Sequence, residues 1–113
     1  MTRYKMTRYK VLKTREFDKD YEKLDFQDKA RVEKILYQIA ERGSEIGKPL
    51  AGLEFFREKK FNGNRMYFLV YNTQKVVLAA ALSDKKAQQA TINEIIRNLA
   101  LYQKYIQDSL NKK

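Results

Sequence analysis

Three extended runs, FFREKKF, RMYFLVY and KVVLAAAL, follow one another between Phe55 and Leu82 with only short polar links between them. The links are Asn62-Gly63-Asn64 and Asn72-Thr73-Gln74. Both are turn sequences, and Asn-Gly in particular tolerates the paired positive φ angles that a tight hairpin requires. The expectation is a three-stranded antiparallel meander. Val76 to Leu82 is apolar throughout, the pattern of a strand buried on both faces in the middle of a sheet.

The remaining elements are read around that meander. YKVLKT (Tyr9–Thr14) alternates enough to be a short first strand. Phe17, Tyr21 and Leu24 then recur at helical spacing. Asp25 is placed to cap a second helix whose buried stripe is Val32, Ile35, Leu36 and Ile39. Gly43 closes that helix, and Gly47 with Pro49 predicts an irregular connector to about Leu53. After the meander, Ser83 or Asp84 caps one long final helix carrying Ile92, Ile95, Ile96, Leu99 and Ile106. The fold class is α+β: strand, two-helix hairpin, meander and C-terminal helix, with a small antiparallel sheet covered by helices.

At 113 residues and 43% hydrophobic content there is room for one core. The pentapeptide Met1–Lys5 repeats identically as Met6–Lys10, too short for a structural repeat. Residues 1–5 are read as an artefact of cloning or start-codon choice, and residues 6–113 as a single domain. With no Cys and no His, thiol nucleophiles, thiolate metal sites and the usual neutral-pH proton carrier are excluded. No metal or cofactor is expected. Val76–Leu82, the longest apolar run, is far short of the ~20 residues of a membrane span. The first residues have no apolar signal core, so a cytoplasmic location without membrane association is expected.

The formal charge of +10 points to a polyanionic partner. Arg57, Lys59, Lys60 and Arg65 flank the Asn-Gly hairpin, and Lys85 and Lys86 follow the last strand. Alternation puts Arg57, Lys59 and Phe61 on one face and Glu58 and Lys60 on the other. Antiparallel pairing is expected to gather Arg57, Lys59, Arg65 and Lys86 into one cationic surface. Phe55, Phe56, Tyr67, Phe68 and Tyr71 are read as core. Glu54 and Glu58 would be ~13 Å apart along a strand, too far to share one bond as an acid/base pair.

In the order of its elements and in particular residues, the chain resembles the RelE/ParE superfamily of toxins from toxin-antitoxin systems, over Tyr9 to about Tyr105. YKVLKTREFDKDYEKL is similar to the family's first strand and helix. GKPLAGLEFFREKKFNGNRMYF is similar to its linker, basic strand and Gly-x-Arg turn, and LSDKKAQQATINEI resembles the addiction-module killer, HigB-like subgroup. The resemblance implies a toxin that cleaves messenger RNA, often on the ribosome, and is inhibited by a cognate antitoxin. It also implies a toxin-antitoxin complex that binds operator DNA through the antitoxin. Arg57, Arg65 and Lys86 would be the catalytic residues, with Lys59, Lys60 and Lys85 binding RNA. Many relatives carry a His or Tyr near the chain end. Here no His exists; Tyr102 and Tyr105 are the available substitutes, at a helical spacing that favours packing instead. Two alternatives stay open: a ParE-like toxin acting on DNA gyrase by protein contact, and a nucleic-acid-binding module without catalysis.

Overall fold

The computed structural model describes residues 8–111. The duplicated segment at residues 1–5 lies outside them. In chain order the elements are β1 (Lys10–Lys13), α1 (Arg15–Glu22), α2 (Phe26–Arg42), a 3-10 turn (Gly43–Glu45), β2 (Lys48–Leu50), β3 (Leu53–Phe61), β4 (Asn64–Tyr71), β5 (Val76–Ser83), α3 (Gln88–Arg97) and α4 (Leu99–Asn111).

The strands form one sheet in the order β1-β5-β4-β3-β2. The meander β3-β4-β5 is antiparallel, as its turns require. β1, however, pairs parallel with β5, Val11 opposite Val77, so the sheet is mixed. The path through α1, α2 and the meander returns β5 to the side of β1 pointing the same way, which no local signal encodes. A further difference lies in the connector: Lys48–Leu50 adds a fifth strand on the edge of β3. Pro49 is tolerated there because an edge strand leaves one row of N–H groups unused.

Two helical layers cover the two faces. On one, Phe17 of α1 and Val32, Ile35, Leu36 and Ile39 of α2 pack against Phe61, Met66, Phe68, Val70 and Val77. On the other, Ile92, Ile95 and Ile106 of α3 and α4 pack against Phe56, Tyr67, Leu69, Tyr71 and Leu78. β5 is buried on both sides, as its unbroken apolar run predicted.

Local chemistry sets the helix ends. Thr14 Oγ1 accepts from Phe17 N at 3.0 Å and Asp25 Oδ1 from Asp28 N at 2.8 Å, which satisfies one otherwise unpartnered N–H of each first turn. Gly43 ends α2 at φ +53°, and a Cβ there would fall 2.4 Å from the Tyr9 ring. The C-terminal helix is broken in two at Asn98, whose Nδ2 donates to Glu94 O at 3.0 Å and so competes with the helical ladder. Asp84 organises the turn before α3, its Oδ1 accepting from Ala87 N at 2.9 Å, while α3 itself begins without a side-chain cap. No helix among the described residues is long and apolar enough to cross a membrane.

Candidate functional site

Asn62 and Gly63 take φ +46° and +80°, so the β3-β4 hairpin turns in two residues and Phe61 faces Asn64. That register determines everything beside it. Lys60 lies opposite Arg65, Glu58 opposite Tyr67 and Arg57 opposite Phe68. Cross-strand partners share a face, so Arg65 belongs with Lys60, Glu58 and Tyr67, under α3 and α4.

A β-bulge brings in β5. Phe68 pairs with Ala79 and Tyr67 with Ala81, which leaves Ala80 as an extra residue. Its carbonyl accepts the Thr14 hydroxyl at 2.7 Å, so the residue that caps α1 also buttresses the bulge. The extra residue shifts the strand by one, and Ser83 pairs with Arg65. Without it, Leu82 would stand there and Ser83 would point to the other layer.

The resulting cluster is buried and incompletely paired. Glu58 is 2% and Arg65 7% exposed, with Arg65 Nε 4.0 Å from Glu58 Oε1. Glu58 Oε1 accepts from Gln88 Nε2, in the first turn of α3, at 3.2 Å. One Arg65 terminal nitrogen donates to Gly63 O at 3.3 Å. Glu58 Oε2 and Arg65 Nε have no hydrogen-bond partner among the described residues. Each unmet buried group costs about 1–3 kcal/mol, and such costs concentrate where groups have work other than folding. Tyr67 and Ser83 oxygens are 2.8 Å apart. Because the Ser83 hydroxyl donates to Asp84 O, Tyr67 is the donor of that pair. Burial pushes the Tyr67 phenol up, partly offset by Ser83, so it is protonated at neutral pH.

Exposed lysines fringe this cluster. Lys60 is beside Arg65, Lys85 and Lys86 occupy the β5-α3 turn, and Lys48 of β2 lies opposite Glu58.

Arg57 is elsewhere. It sits on the α1/α2 face, 6% exposed, with every guanidinium nitrogen engaged: Nε to Ile46 O at 2.9 Å, one terminal nitrogen to Glu54 O and Oε1, the other to Gly47 O at 3.1 Å. Lys59 shares that parity, partly buried. The expected single surface of Arg57, Lys59, Arg65 and Lys86 is therefore divided between two faces. The physical reason is the two-residue turn, which joins Arg65 to the even-numbered side of β3. Applied to the sequence, the same turn register joins Glu58 and Tyr67 to Lys60 and Arg65; charge alone points to Lys60 and Arg65 and leaves Glu58 and Tyr67 out. Ser83 needed the bulge. Tyr102 packs against the second layer and Tyr105 is exposed; both line a recess with Lys13, Thr14 and Arg15, on the β1 side of the molecule.

A five-stranded mixed sheet with the order β1-β5-β4-β3-β2, two helices after the first strand and helices on both faces is the fold of the RelE toxins. A mutant of the E. coli toxin RelE in the free state is similar over 80% of this chain and 96% of its own, with TM-score 0.69 and 17% identity. The toxin-antitoxin complex RelBE2 from Mycobacterium tuberculosis is similar over 72% of this chain and 95% of that one, with TM-score 0.61 and 19% identity. The YoeB dimer from Staphylococcus aureus covers 67% and 95%, with TM-score 0.54 and 18% identity. Against protein-family models and against curated sequences the chain has no match.

Proposed function

We propose that this protein is the toxin of a toxin-antitoxin pair and acts as a metal-independent endoribonuclease on messenger RNA in the cytoplasm. The observation that carries the reading is the Glu58-Arg65 pair, buried and 4.0 Å apart, each with an unmet polar atom, on a face fringed by lysines. Cleavage by the RNA's own 2′-hydroxyl needs three things: a proton acceptor, cations for the charge-rich phosphorane, and a proton donor for the leaving oxygen. Glu58, released from the Gln88 amide, accepts the 2′-hydroxyl proton as that oxygen bonds to phosphorus. Arg65 holds the phosphate through its guanidinium fork, and Lys85 adds charge. The P–O5′ bond breaks as Lys86 protonates the 5′-oxygen, leaving a 2′,3′-cyclic phosphate and a 5′-hydroxyl. Arg57 acts at one remove, through the linker it holds.

The likeness to toxins solved with their antitoxins supports a cognate antitoxin here, and a basic sheet face suits an acidic amphipathic helix. The test is inducible expression with transcript-end mapping, alongside purified protein on single-stranded RNA. Growth arrest with new 5′-hydroxyl ends, both abolished by Arg65→Ala and relieved by the antitoxin, is the expected result. An undisturbed transcript pool during arrest, with gyrase co-purifying, would overturn the ribonuclease reading. Salt-sensitive RNA binding without arrest or cleavage would leave a binding module.

A further inference from the structure

We infer that Lys48 and Lys60, at the β2-β3 edge, form a second phosphate subsite for the RNA strand beside Arg65, an inference that rests on the ribonuclease reading. Lys48 of β2 is directly opposite Glu58, and Lys60 follows Glu58 on the same face of β3. With Arg65 across from Lys60, the three cations run over β2, β3 and β4. Two strand spacings across and two residues along separate the outer pair, about 12 Å, a span that neighbouring phosphates of one strand bridge with the reach of flexible lysines.

The edge is a built feature. Lys48, Lys59 and Lys60 line a shallow recess of about 370 Å³ together with Gly47 and Glu58. None of these lysines has a carboxylate partner among the described residues. Gly47 lies so close to β3 that a Cβ would fall 2.3 Å from Glu58 O, at φ +72°. Arg57 binds the carbonyls of Ile46 and Gly47 from the other face. The backbone entering Lys48 is thus clamped between a glycine contact and a buried arginine, which gives an exposed lysine a determined origin. Unpaired cations held in a concave edge, next to a phosphate-binding arginine, match a polyanionic strand that continues past the cleavage point.

The experiment measures binding of the full chain to a short single-stranded 2′-O-methyl RNA, which cannot be cleaved, over a range of salt. Lys48→Ala lowers the slope of log affinity against log salt by about 0.7, the increment for one phosphate contact on a single strand. Lys48→Arg restores it, and Lys34→Ala, on α2, leaves it unchanged. On cleavable RNA, Lys48→Ala raises KM with kcat unaltered. An unchanged slope in Lys48→Ala overturns the subsite whatever the cleavage result. A loss confined to an acidic helical peptide, with the RNA slope intact, assigns the edge to a protein partner and also overturns it. A lowered slope in Lys48→Ala together with wild type that never cuts RNA refutes the ribonuclease reading while the subsite stands.

Discussion

Arg57 and Arg65 are almost equally buried, at 6% and 7% exposure, yet they sit in opposite situations on the two faces of one sheet. Under α1 and α2, Arg57 spends its whole fork on three carbonyls and one carboxylate. Under α3 and α4, Arg65 has one long bond to Gly63 O, an unmet Nε, and a carboxylate at the limit of an ion pair. Burial does not separate them. Hydrogen-bond satisfaction does: the first arginine is consumed by structure, and the second has donors left over.

The sharpest way to break this comparison is to replace each arginine in turn. Arg65→Lys, which keeps a cation beside the buried Glu58 carboxylate but loses the guanidinium fork, is expected to lower RNA cleavage by about 10²–10³-fold, the scale for losing a donor aimed at developing charge, with little change in the denaturation midpoint. Arg57→Ala should do the reverse. It strands several carbonyls at about 1–3 kcal/mol for each buried acceptor, so chemical denaturation should show a loss of about 3 kcal/mol or more. Equal loss of stability in both variants would erase the distinction drawn between the faces.

Glu58→Gln sharpens it further. The amide is nearly isosteric and can still accept from Gln88, and it removes a buried, poorly paired charge, so stability is expected to hold within about 1 kcal/mol. Cleavage should fall by about 10²-fold through loss of the proton acceptor, read as kcat at saturating RNA. Thr14→Val has a smaller effect, about 1 kcal/mol of stability for a lost N-cap. Because the same hydroxyl holds the bulge at Ala80, that variant should also lose activity at temperatures where it is still folded.

The smallest effect belongs to pH. Burial first, and Tyr102 second, push the Tyr71 phenol from 10.0 to about 12. The folded state therefore holds this proton more tightly than the unfolded chain does. Its contribution to stability is complete below pH 10 and disappears as pH rises toward 12. Alkaline unfolding followed by circular dichroism should be less steep over that window in Tyr71→Phe, and an unchanged profile would argue against the buried phenol as its source.

Much of this molecule is determined by short-range chemistry. The caps at Thr14 and Asp25, the stop at Gly43, the stripe on α2, the Asn62-Gly63 hairpin and the doubly buried β5 each follow from a few neighbouring residues, because capping, φ > 0 and apolar periodicity are local properties. Alternation along β3 likewise separates Arg57 from Glu58 and Lys60. What only the tertiary structure decided is non-local: the parallel pairing of β1 with β5, the short β2 on the edge of β3, the Asn98 break, and the bulge that turns Ser83 toward Arg65. It also decided which arginine is satisfied, since the carbonyls that occupy Arg57 come from Ile46 and Gly47, eleven and ten residues away. Side-chain type announces how many hydrogen bonds a group can make, and only the folded chain determines how many are left over.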